Sequence, residues 1–277
     1  MKSLILRVAC LAFPLAVGLA FAPPAKAQTA TERSGRLLEE AQKNLEEGRI
    51  EDAQERMRRV IEIGGSRRQQ ADAHLGLAMV ARRLGNLDTA EERYREAIRL
   101  SPSHRIALDG LASLLGQTGR YQEAAGTYEL LLDDTPDNVP VRLAQVTALI
   151  FAGEHAPARN SLERGLQAVP GNLDLIDVLA RHLAACPDPA IREGARAVEL
   201  AEVLFEGAPT PQSRETLAMA YAEAGRFADA VAMQELLIEN APDPIDPAII
   251  EIWQANLARY QGGESCCAPR AAAPADG

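Results

Sequence analysis

The sequence is poor in the residues that would define a site or a sheet. Aromatics make up only 4% of it, with one Trp, while Ala, Leu, Glu and Arg are abundant, which suits close helix packing rather than strands. There are four His and four Cys in 277 residues, too few and too scattered for a zinc-protease motif or a disulfide framework. No phosphate-binding loop occurs, and Ser103, Ser113 and Ser161 lack the local elbow of a hydrolase, so no catalytic residue is expected and the chain is read as a non-enzyme. Basic charge is also in deficit. The net charge is −10, or near −13 once the three positive charges of the first 27 residues are set aside. A surface of that sign repels phosphate backbones, so nucleic acid is not an expected partner.

Long apolar runs are missing as well, with one exception near the start. Lys2 and Arg7 precede an uncharged run from Val8 to Ala22, and Ala25-Lys26-Ala27 supplies a small-x-small cleavage signal. Fifteen residues are short of the roughly 20 that span a bilayer, so residues 1–27 read as a secretory signal peptide cut after Ala27. The expected destination is the periplasm, with no membrane insertion after cleavage. An uncleaved anchor is the alternative. Cys10 follows too little apolar sequence to be a lipidation site.

What the chain does have is a period. Gly85 and Gly119, Ala90 and Ala124, Tyr94 and Tyr128, and Pro102 and Pro136 are each 34 residues apart. A fixed period of this length marks stacked helix-turn-helix units. The predicted repeats are 34–67, 71–104, 105–138, 139–172, an irregular 173–210, and 211–244, after a flexible lead at 28–33. About four residues are inserted in repeat five, where Cys186-Pro187-Asp188-Pro189 breaks a helix. A small residue recurs in each first helix (Ala41, Ala78, Ala112, Ala180, Ala218, with Val146 the exception). Another recurs in each second helix (Ala53, Ala90, Ala124, Ala158, Ala197, Ala230). These positions let paired backbones approach, while Leu77, Tyr94, Leu111, Tyr128, Leu217 and Tyr221 fill the space between repeats. Residues 245–261 form a capping helix with Ile250, Trp253, Leu257 and Tyr260 on one stripe, and 262–277 have no periodicity and read as a disordered tail.

These features resemble the tetratricopeptide repeat (TPR) family over residues 34–244, through the Leu-Ala pairs 77-78, 111-112 and 217-218, the turn glycines, the second-helix alanines and the closing prolines. The aromatic common near the start of a family repeat is replaced here by His74, Leu108 and Arg142. The resemblance implies an all-α solenoid, a right-handed superhelix whose concave face binds a protein or peptide. By register that face carries Leu75, Met79, Arg82, Arg83, Asp109, Ser113, Gln117, Leu143, Thr147, Ile150, Phe151 and Arg181. Apolar residues beside arginines suit an extended peptide or helix with acidic character, although Leu143 and Phe151 could instead pack within the array. The carboxylate clamp of some family members is not reproduced, because Leu75, Met79, Asp109 and Ser113 stand at its positions.

The leading expectation is therefore an exported, non-catalytic scaffold for an envelope partner, with no cofactor. Two alternatives stand beside it. One is a thiol or soft-metal role of Cys266 and Cys267, the only metal candidates retained. His182 and Cys186 are four apart, but two ligands do not make a site, so they read as a surface His and a partly buried Cys. The other is self-assembly into a homo-oligomer with an exposed Trp253 as the seam.

Overall fold

A computed structural model describes residues 25–242 and 244–265. Among them are thirteen α-helices and no strand; the first two helices pack on each other, and so does each consecutive pair from the fourth to the thirteenth. The expected signal peptide up to residue 24 and the cysteines 266 and 267 lie outside the described residues. The chain divides into two compact units between Ala73 and His74.

The first unit holds α1 (Ala25–Glu46), α2 (Ile50–Ile63) and the opening turns of α3 (Arg67–Arg83). Ala41, Ala53, Met57 and Val60 form its buried seam. The expected flexible lead at 28–33 is instead helical. The reason lies in composition: after Pro24 the chain meets no breaker, and Ala, Gln, Glu and Arg favour helix. Long-range contact then holds this turn, since Gln69 Nε2 donates to the Thr31 carbonyl at 2.9 Å.

The second unit continues α3 and adds α4 (Leu87–Leu100), α5 (Arg105–Gln117), α6 (Tyr121–Asp134), α7 (Val139–Phe151), α8 (His155–Ala168), α9 (Leu173–Ala185), α10 (Gly194–Gly207), α11 (Pro211–Glu223), α12 (Phe227–Glu239) and α13 (Pro247–Gln261). The pairs fall where the period puts them. Every small residue named from the register is fully or almost fully buried, and so is Val146. The large residues expected between repeats are buried too. All five turn glycines of the pattern, Gly48, Gly85, Gly119, Gly153 and Gly225, have φ between 75° and 79°. In the turns after α5 and α7 the next amide closes the helix by bonding five residues back, as Arg120 does to Leu115 and Glu154 to Leu149, both at 2.8 Å.

Repeat five breaks the pattern in one place. Eight residues separate α9 from α10, where three separate α7 from α8, and the α10–α11 connection is one residue shorter than its counterparts. No glycine ends α9; Cys186 caps it in an extended conformation. Ile191 is buried under the loop, and Glu193 N–H returns to the Leu183 carbonyl at 2.9 Å. At the far end, α13 buries Trp253 and Tyr260 and half-buries Ile250 and Leu257. Gln234 donates to the Trp253 carbonyl at 3.0 Å. With Trp253 only 6% exposed, the condition set for a tryptophan seam between copies is not met.

Candidate ligand-binding face

The predicted face residues divide into three groups. Ser113, Thr147 and Phe151 meet in one cleft of about 350 Å³ between α5, α6 and α7, together with Tyr121 and Tyr128. Phe151 is 65% exposed at the end of α7 and stacks on Tyr121, with centroids 5.1 Å apart. Arg82 reaches this cleft from α3, its Nη2 donating to Ser113 Oγ at 2.9 Å. Asp109 lies close enough to Tyr128 to join burial in holding that phenol's pKa above its usual value.

Ile150 and Arg181 line a second cleft of about 300 Å³ between α7, α8 and α9. Arg181 is already engaged there. Its guanidinium pairs with Glu215 at 3.3 Å and donates to Thr216 Oγ at 3.2 Å. A cation so occupied offers an acidic ligand less than its sequence position suggested.

The remaining residues do not gather in either cleft. Leu75 is buried, contrary to its place on the predicted face, because its position on α3 turns it into the packing side. Leu143 is half-buried and packs on the core, the alternative foreseen for it. Met79 is exposed, as are Arg83 and Gln117 at the ends of α3 and α5.

Two arrangements were not visible in the linear sequence. Tyr121 and Tyr128 supply most of the first cleft's aromatic wall; the register marks Tyr128 only as a packing residue and does not single out Tyr121. In the second cleft, His155 joins His182 and Cys186. Their donor atoms lie within 4.8 Å of one another, so the two-ligand reading is corrected to three. The surface placement is corrected as well: His182 and Cys186 are both buried.

Repeated helix pairs with small-residue seams and glycine turns define an α-solenoid, a fold that presents extended surfaces. The sequence matches the tetratricopeptide repeat family model at residues 38–97 and 75–139. The match makes residues 38–139 similar to tetratricopeptide repeats. Solved structures agree on the fold. A tetratricopeptide repeat protein from Parabacteroides merdae is 17% identical, covers 84% of this chain and 88% of its own, and has a TM-score of 0.57. The pilF protein of Pseudomonas aeruginosa is 20% identical over 82% and 99% of the two chains, with a TM-score of 0.54. YrrB, described as a TPR protein with an unusual peptide-binding site, is 19% identical over 63% and 88%, with a TM-score of 0.51. No curated protein matches the sequence.

Proposed function

We propose that the chain is an exported, non-catalytic scaffold that holds an extended segment of an envelope protein in the cleft between α5, α6 and α7. The observation that carries this reading is Phe151, an aromatic left largely in water yet stacked on Tyr121 above an apolar cleft. Large exposed aromatics beside a concave apolar surface are the usual energetic anchors of protein recognition. Thr147 and Ser113 supply hydroxyls to the same cleft, which suits a peptide main chain. YrrB's described peptide-binding site is consistent with such a use of the shared fold.

Export rests on the charge and apolar pattern of residues 1–27. Among the described residues no helix is long and apolar enough to cross a membrane. The mass of the chain recovered from the periplasmic fraction should correspond to a start at Gln28; an intact Met1 terminus in that fraction would point to an anchor.

The binding reading is tested by placing a photocrosslinking side chain at Thr147 in the source cells. One dominant adduct to an envelope protein is expected. Phe151→Ala with Tyr121→Ala should weaken it by about 30-fold, the size of an aromatic anchor, while Arg83→Ala leaves it unchanged. Adducts that survive the double substitution would place the partner elsewhere.

A further inference from the structure

Aligning the repeats by register exposes three departures that sequence order keeps apart. The first residue of the second helix is Leu87, Tyr121 and Phe227 in repeats two, three and six, but His155 in repeat four. The position of His182 in repeat five is held by Val80, Leu114, Ala148 and Ala220 in repeats two, three, four and six. The position of Cys186 is held by Leu84, Thr118, Ala152 and Ala224. Three chemistry-bearing side chains thus replace mostly small or apolar ones, and the fold brings all three to one point. That point is the mouth of the loop that makes repeat five irregular, where Cys186 and Pro187 leave the helix.

The local chemistry fits a cation. The three donor atoms lie within 4.8 Å of one another, and the imidazole centroids are 5.6 Å apart. Tetrahedral Zn²⁺ bonds of roughly 2.0–2.3 Å place donors about 3.3–3.8 Å apart, so closure needs shifts of order 1 Å. His182 Nε2 is 3.0 Å from the His155 carbonyl. A carbonyl only accepts, so the nitrogen carries the proton and the neutral ring keeps its lone pair on Nδ1. A backbone carbonyl often orients a metal-binding histidine in this way. His155 Nδ1 is buried with no hydrogen-bond partner.

Two cations nearby oppose the idea, and both are neutralised. Arg181 is paired with Glu215, and Arg159 bonds Glu163 at 3.0 Å and Glu193 at 2.8 Å.

We propose that His155, His182 and Cys186 form a binding site for a borderline-soft divalent cation, Zn²⁺, with the fourth coordination position open to the cleft between α7, α8 and α9. Two imidazoles and a thiolate suit zinc, and three protein ligands with one open position form a recognised zinc arrangement. As the Sγ–Zn bond forms, the thiol proton of Cys186 leaves to solvent. The ion ties the start of α8 to the end of α9 beside the insertion of repeat five.

The test uses the full chain with Cys10→Ser, Cys266→Ser and Cys267→Ser, which leaves Cys186 as the sole thiol. Titration with Co²⁺ should show one equivalent bound, with a thiolate-to-cobalt charge-transfer band that Zn²⁺ abolishes, and Zn²⁺ should raise Tm. His155→Tyr, His182→Ala and Cys186→Ala install residues that other repeats carry at these positions, so each is expected to fold. Each should lower Co²⁺ affinity at least 10-fold, and Cys186→Ala should remove the charge-transfer band. If a variant does not fold, the band and the Tm rise of the three-ligand chain still decide. No stoichiometric binding to that chain, or unchanged affinity in folded Cys186→Ala, overturns the site.

Discussion

Gly110→Ala should destabilise the protein although it replaces glycine by the best helix former in the middle of a helix. Gly110 lies within α5, and an exposed Gly→Ala change in such a place gains about 1 kcal/mol. The structure opposes that gain. A Cβ at Gly110 would stand 2.5 Å from Cε1, 2.7 Å from Cζ and 2.9 Å from Oη of Tyr94. The ring is rigid and only 2% exposed, so it must retreat by nearly 1 Å to restore ordinary contact. Overpacking of this kind costs about 1–3 kcal/mol, so the expected net change is a loss of about 1 kcal/mol. The next repeat supports a cost of this modest size. There Ala144 occupies the equivalent position opposite Tyr128, and that tyrosine is less deeply buried. The assay is urea unfolding followed by circular dichroism, comparing midpoints and slopes because repeat arrays need not unfold in one step. In a Tyr94→Leu background the obstacle is gone, and Gly110→Ala should then stabilise by about 1 kcal/mol. A gain of that size in the unmodified background would refute the reasoning.

Gly119→Ala meets no neighbour, so its cost comes from φ = 76° alone and should be about 1 kcal/mol by the same unfolding assay, with Gly119→Asn losing less; equal losses would implicate something other than backbone conformation. Trp253→Ala empties the packed face of α13 and should cost about 3–5 kcal/mol, with amide exchange rising first in α13 and α12. Burial, joined by the charges of Arg93 and Arg99 and opposed by Glu96 and Glu92, holds the His74 pKa below its usual value. Below about pH 6.5 the unfolded chain therefore takes a proton that folded His74 resists, so stability falls as pH drops and levels off beneath the folded pKa. His74→Leu, the residue repeat three carries as Leu108, should make that fall shallower when Tm is followed from pH 7.5 to 5.

How much of this was legible depends on whether a feature repeats. The alanine seams could be read because each position is sampled six times at or near one spacing, and burial follows from that recurrence. The glycine turns could be read for the same reason, since a left-handed position excludes most side chains wherever it recurs. The helical character of residues 28–33 escapes such a reading because a short polar stretch reads as flexible although its Ala, Gln, Glu and Arg favour helix, and the contact that holds it, from Gln69 to Thr31, spans 38 residues. Leu75 was misplaced because a register counted in whole residues does not resolve which side of a helix edge a side chain falls on. The aromatic wall of Tyr121 and Tyr128 was hidden because Tyr128 also satisfies the packing rule and Tyr121 opens its helix at a position whose residue varies among repeats.

The polar partners suggest a further rule for reading such arrays. Arg181 pairs with Glu215 and Arg159 with Glu193, each separated by 34 residues, and Arg164 pairs with Glu129 at 35. Residues about one period apart come together between adjacent repeats even where the register slips: the insertion in repeat five makes Met219 the counterpart of Arg181, and Glu215 meets it from one turn earlier. His155 and His182 are 27 apart, and no single period predicts their meeting. It follows from the step between the start of one second helix and the end of the next first helix, which neighbouring repeats fill with apolar or small residues. In a repeat protein the shared positions specify the fold, so functional candidates are best sought among residues that depart from the register and also converge in space.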